Sequence, residues 1–288
     1  MKRIFYFSIY LYIFISINIS SAQEYNVFKE DMVEVSFISS VTKVTEEKFY
    51  LGLEFKLEPG WKIYWRQPGD SGMPPTLDYK DSVNLKSIEF KWPFPIKEYE
   101  AANLLTNIYK GEVVIPLEVT VNDHKKPLNL KAKLYFQVCK DICIPFETNL
   151  FINVDSGKSN FTDYFHKIEK ALSKVPVDHK TVGIKNILIN RVSDNSLIFS
   201  LESLVDIEEG EIEVFLENKD EYIKVNEINI NENINNKISA KIILDRDIRH
   251  LNELDIIFVK GNLALNINGI RIENSISKSI YLILLIAM

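Results

Sequence analysis

The chain has 288 residues, 46% hydrophobic and 26% charged, a balance that supports a buried core and excludes a disordered or fibrous protein. Its 34 basic and 40 acidic residues leave a net charge of −6, and no Lys/Arg cluster interrupts that balance, which argues against a nucleic-acid partner. Two cysteines form an even pair with no thiol left over.

In chain order, Lys2 and Arg3 precede an apolar run from Ile4 to Ile19, and Ser20-Ser21-Ala22 supplies the small residues of a cleavage site. Residues 1–22 therefore read as a signal peptide, with Gln23 as the new N-terminus; an uncleaved membrane anchor is the alternative. Export suits the cysteines, because disulfides persist outside the cytosol.

Residues 23–157 read as a first β-sandwich. Val33, Val35 and Phe37 alternate with polar residues, and Phe49, Leu51, Leu53, Phe55 and Leu57 do so again after the Thr45-Glu46-Glu47-Lys48 turn, which predicts an antiparallel hairpin ended by Pro59-Gly60. Trp61, Tyr64 and Trp65 then sit beside a loop dense in Pro and Gly. Core and loop-base packing is the favoured reading of these aromatics, and a ligand-stacking platform is the rival. Further strands are expected from Val83 to Phe90, Val113 to Val121, Leu128 to Val138 and Thr148 to Val154.

Cys139 and Cys143 lie between the last two of these strands. In an extended chain they would be about 13 Å apart, whereas a disulfide needs Cα atoms within about 7 Å. The chain must therefore turn between them, and Lys140-Asp141 are acceptable turn residues. As a staple, so small a loop is worth only about 2 kcal/mol. A short-range, accessible bridge is instead the labile kind, which favours a redox role. A structural staple and a metal site remain as alternatives. Zinc lacks partners, since His124, His166, His179 and His250 are scattered, but two thiolates would suffice for Cu(I).

Residues 158–176 read as a helical linker, with Phe161, Tyr164, Phe165, Ile168 and Leu172 at helical spacing. His166 falls on that helix without a catalytic partner in sequence. Residues 177–276 read as a second β-sandwich, with strands expected at Ile184 to Ile189, Ser196 to Leu201, Ile212 to Leu216, Ile223 to Ile230, Lys237 to Leu244, Ile256 to Val259 and Leu263 to Ile267. The acidic run at Glu208, Glu209, Glu211 and Glu213 reads as a solvated edge, with a weak cation site as its alternative. Residues 277–288 form an apolar tail, too short to span a bilayer: a last buried strand or the start of a truncated membrane helix. The fold class is thus all-β, two immunoglobulin-like β-sandwich domains joined by a short helical linker.

Several motifs together resemble a known family: Pro59-Gly60-Trp61-Lys62-Ile63-Tyr64-Trp65-Arg66-Gln67-Pro68-Gly69-Asp70-Ser71-Gly72, the Trp92-Pro93 pair, Tyr109-Lys110-Gly111-Glu112, and Val138-Cys139-Lys140-Asp141-Ile142-Cys143-Ile144-Pro145. They are similar to the N-terminal periplasmic region of the DsbD family of thiol:disulfide interchange proteins, especially its copper-sensitivity-suppressor branch, over roughly Val33 to Val154. The resemblance implies an immunoglobulin-like domain in the periplasm whose cysteine pair relays electrons. It implies a membrane electron-transfer domain or subunit as source and periplasmic thioredoxin-fold proteins as partners, with no cofactor, in the setting of cytochrome c biogenesis or copper tolerance. It places the redox pair on Cys139 and Cys143, with Cys143 forming the mixed disulfide and Cys139 resolving it. A loop aromatic shields the disulfide in the family; Tyr109 is nearest by position, with Trp61 and Tyr64 as neighbours. The tail from Ser279 resembles the start of the family's first membrane helix, which would associate a truncated or split product with the membrane. The rival function is a non-enzymatic copper- or protein-binding envelope module with a structural disulfide.

Overall fold

The computed structural model describes residues 24–204, 210–218, 222–234 and 237–274. The signal-peptide and apolar-tail expectations, and Glu208 and Glu209, lie outside the described residues. Strand makes up 64% of the structure and the described residues hold one α-helix, so the all-β reading is correct. None of the described helices is long and apolar enough to cross a membrane.

Two sheets face each other in the first half. One has five strands in the order Val27–Glu30, Val33–Ser39, Lys48–Leu57, Glu112–Val121 and Leu85–Phe90. The expected hairpin is there, with Val33 opposite Leu57 and Phe37 opposite Leu53. The other sheet runs Lys43–Val44, Cys143–Ser156, Leu128–Cys139, Lys62–Gly69, Leu105–Lys110 and Ile96–Tyr99, with Thr76–Asp78 added beside Leu128–Cys139. Alternate residues of both sheets, among them Phe37, Leu53, Phe55, Ile63, Trp65, Leu134 and Phe136, fill the space between them and are fully buried.

The strand Lys62–Gly69 is the largest departure from the sequence reading, which leaves that stretch as loop and loop-base packing. Its residues do pack, but as a central strand. Ile63 and Trp65 face the core while Lys62 and Tyr64 face the other way, and all four are buried. Because both faces are covered, the stretch shows no alternation of apolar and polar residues.

The helix covers Phe165–Leu172 and starts later than expected. Residues just before it are taken up by the segment that follows Val33–Ser39: Phe161 bridges Val41, and the Thr162 amide donates to the Ser40 carbonyl. Ile168 then packs with Ile38 and Val114 on the outer side of the five-stranded sheet. Beneath the helix, the buried Glu54 accepts from Lys167 Nζ at 2.8 Å.

The second half is a single folded sheet in the order Tyr222–Ile223, Ile212–Glu217, Glu253–Lys260, Leu263–Asn274, Ile184–Ser193, Ser196–Ser203, Lys237–Leu244 and Val225–Ile234, with Val177–Asp178 added to Leu263–Asn274. The long strand Leu263–Asn274 turns the corner. Leu263 to Arg271 pair with Glu253–Lys260, whereas Ile272 to Asn274 pair with Ile189 to Arg191. Gly269, at φ +60°, lies on this corner and donates its amide to Asp255 Oδ1.

The halves share packing. Phe215, Ile257, Val259 and Ala264 from the second join the first core, with the Phe215 ring 5.4 Å from Trp65. Arg66 forks onto both carboxylate oxygens of Glu217, at 3.0 and 2.6 Å. Of the acidic run, Glu211 is exposed as expected, but Glu213 is half-buried near Lys97, and burial pushes its carboxyl above the usual range.

Candidate functional site around the Cys139–Cys143 disulfide

The hairpin Leu128–Cys139 and Cys143–Ser156 pairs residue by residue from Leu128 opposite Val154 down to Cys139 opposite Cys143. The two cysteines are thus the last rung, closed by the three-residue turn Lys140-Asp141-Ile142, in which the Lys140 amide donates to the Ile142 carbonyl at 3.1 Å. A last rung brings two Cα atoms close, and here they are 4.1 Å apart with the sulfurs bonded. The Lys140 side chain lies over Gly60, whose φ of +87° makes the turn that brings the chain into Lys62–Gly69.

The two sulfurs sit in different surroundings. Cys139 is 1% exposed and packs with Tyr64 and Ile108, whereas Cys143 is exposed at the rim. Exposure decides which sulfur an external thiolate can reach, and it selects Cys143. Ile142, 68% exposed at the tip of the turn, leaves an apolar side chain in solvent beside that sulfur.

Of the aromatics offered for shielding, Tyr64 is the one in reach of the bridge: its hydroxyl is 3.7 Å from Cys143 Sγ and donates to it. Burial first, and then the Glu100 carboxylate, raise the Tyr64 hydroxyl above its ordinary value, so it keeps its proton at neutral pH. Tyr109 is instead a core residue that donates to the Pro93 carbonyl at 2.6 Å, and Trp61 is half-buried against the same core. Alternation explains this: Tyr109 pairs with the inward Ile63, while Ile108 pairs with the outward Tyr64.

The segment after Gly69 lies on Tyr64. A Cβ at Gly72 would stand 2.3 Å from the Tyr64 ring, and the φ there is +102°, so this position calls for glycine on both counts. Ser71 hydrogen-bonds the Tyr64 hydroxyl.

Lys62, beside Cys139 across the sheet, is buried and holds Glu98 and Glu100 at 2.9 and 2.8 Å. Burial alone would lower its pKa, but the hydrogen bonds it donates to Glu100 and Glu98 outweigh that and hold the ammonium above its ordinary value. Glu98 also pairs with Lys110, and Glu100 accepts from Thr106 Oγ1 at 2.9 Å. Sequence reasoning missed this charged group and the covering role of Ser71-Gly72. The signal was Lys62 itself, a lysine inside an otherwise aromatic and aliphatic run.

Chemically, the arrangement offers one reachable sulfur, one sheltered sulfur and a hydroxyl donor at the reachable one. Among the described residues no group of three or more His, Cys, Asp and Glu is gathered as metal ligands. His166 is on the helix and His179 near Asn266, whose carbonyl is 3.2 Å from its Nδ1.

Residues 30–155 match the family model for the N-terminal domain of the thiol:disulfide interchange protein DsbD. Among solved structures, the N-terminal periplasmic domain of ScsB from Proteus mirabilis is similar with a TM-score of 0.65, covering 86% of this chain and 97% of that one. Identity is 21%, so that likeness is one of fold. No curated protein matches the chain.

Proposed function

From a first half that matches the DsbD N-terminal family over residues 30–155, we propose that the chain is a periplasmic thiol-disulfide relay module working through Cys139 and Cys143. Residues 23–157 form the redox domain in this reading, 158–176 the helical linker and 177–276 the second sandwich. The observation that carries it is the asymmetry of the bridge: Cys143 in solvent with Tyr64 at its sulfur, Cys139 buried.

In uptake, a thiolate of a thioredoxin-fold or membrane-borne reductant attacks Cys143 Sγ. The Cys139–Cys143 bond breaks, and Cys139 leaves as a thiolate that takes a proton. The reductant's second thiolate then attacks its own sulfur in the mixed disulfide and releases Cys143. In delivery, the Cys143 thiolate attacks a disulfide of an oxidised periplasmic protein, Cys139 attacks Cys143 Sγ, and the substrate departs as a dithiol. Each cycle moves two electrons and two protons. The Tyr64 hydroxyl donates to Cys143 whenever that sulfur carries the leaving charge.

The deciding measurement is the reduction potential of the pair in glutathione buffers, read by counting free thiols. A value in the redox-active range of about −120 to −270 mV supports the relay, and one below about −300 mV marks a structural bridge and overturns it.

A further inference from the structure

Lys224 belongs to the second half, yet its ammonium lies between two segments that flank the disulfide. It pairs with Asp70 Oδ2 at 2.7 Å and donates to the Asn103 carbonyl at 2.9 Å. Both side chains of the pair are mostly shielded, at 11% exposure for Lys224 and 18% for Asp70, so water screens the contact little.

Each segment leads to the site in a few steps. Asp70 also accepts the Leu105 amide at 2.7 Å, and Ser71 and Gly72 follow it directly onto Tyr64, the residue at Cys143. Asn103 closes the short turn Ala101–Asn103, which is preceded by Glu100, the partner of Lys62 beside Cys139. Ala102 and Asn103 both have φ near +59°. Two successive left-handed non-glycine residues are unfavourable and persist only when neighbours hold them. The Lys224 ammonium on the Asn103 carbonyl is such a hold.

We propose that Lys224 is a positioning residue for exchange at Cys143: from the second half, it clamps the Asp70–Gly72 segment and the Ala101–Asn103 turn, and so keeps Tyr64 seated at the sulfur. This rests on the exchange reading and assigns the second half a part in it. Freed of the clamp, the covering segment opens more often, Tyr64 moves off and an attacking thiolate reaches Cys143 sooner.

The test is the rate at which excess dithiothreitol reduces the bridge in the full chain, followed by released thiols. One dithiothreitol thiolate attacks Cys143 Sγ and expels Cys139, which takes a proton; its second thiol closes the oxidised ring and releases Cys143. Lys224→Met should accelerate reduction about tenfold, the worth of one charge-assisted contact. Lys224→Arg, which keeps the charge and several N–H donors, should restore the parent rate. Arg66→Met removes the Glu217 fork elsewhere between the halves and should leave the rate unchanged. Equal rates for Lys224→Met and the parent, or equal acceleration by Arg66→Met, would overturn the clamp. Excess dithiothreitol reduces the bridge whatever its potential, so a potential below the redox-active range sinks the exchange reading without deciding this comparison.

Discussion

The Tyr64 hydroxyl lies 3.7 Å from Cys143 Sγ although Tyr64 is fully buried and Cys143 is at the surface. A buried donor reaching an exposed sulfur stabilises negative charge on it more than it stabilises the neutral sulfur. Tyr64→Phe removes it. Iodoacetamide alkylation of reduced Cys143 at neutral pH should slow by about tenfold. An unchanged rate would mean that the tyrosine only fills space.

Single serine variants separate the roles of the two sulfurs. Cys139→Ser leaves the exposed sulfur without its resolving partner and should accumulate mixed disulfides detectable by intact mass. Cys143→Ser should accumulate none, because the remaining sulfur is 1% exposed. The double variant should lose only about 2 kcal/mol of stability by urea titration. A loss much larger than that would reveal a staple.

Gly72→Ala places a methyl 2.3 Å from the Tyr64 ring at a φ of +102°. The segment must lift or the ring must move, at about 1–3 kcal/mol. Faster reduction of the bridge should accompany the lowered urea midpoint. If stability falls while the reduction rate holds, the segment does not cover the sulfur.

Lys97 gives a pH signature at the contact between the halves. Burial lowers its ammonium from an ordinary value near 10.5 to about 8, partly opposed by Glu213, while it donates to the Val214 carbonyl and lies over the Phe215 ring. The folded state therefore gives up this proton before the unfolded state does. Between pH 8 and 10 the unfolded chain binds more protons, and stability should rise with pH, by about 2 kcal/mol from this group. Lys97→Met should flatten that rise in urea midpoints taken across the interval. A rise of the same size in the variant would assign it to other groups.

Strands whose sequence alternates apolar with polar or small residues were legible, even where the helix covers part of the outer face, as over Ile38 and Glu54. Val33–Ser39 and Lys48–Leu57 were found as a hairpin, and Lys237–Leu244 was found at its observed limits. Lys62–Gly69 was not, since a strand covered on both faces has no alternation to read. The cysteine turn was legible from spacing against disulfide geometry. Which aromatic meets the sulfur was not, because it depends on the inward or outward phase of strands whose limits were unassigned: Tyr64 and Tyr109 belong to adjacent strands but to opposite faces. The contacts of Lys224 with Asp70 and Asn103 join residues more than a hundred positions apart, and no local pattern encodes them.

The packing of Trp65 against Phe215 also has a cost in time. Trp65 is fully buried in the finished protein, but the ring that packs beside it lies 150 positions further along the chain (215 − 65). At ribosomal speed that interval is on the order of ten seconds. From synthesis until both halves have folded together, the chain carries an indole without its partner ring, an apolar surface on which holding chaperones can act.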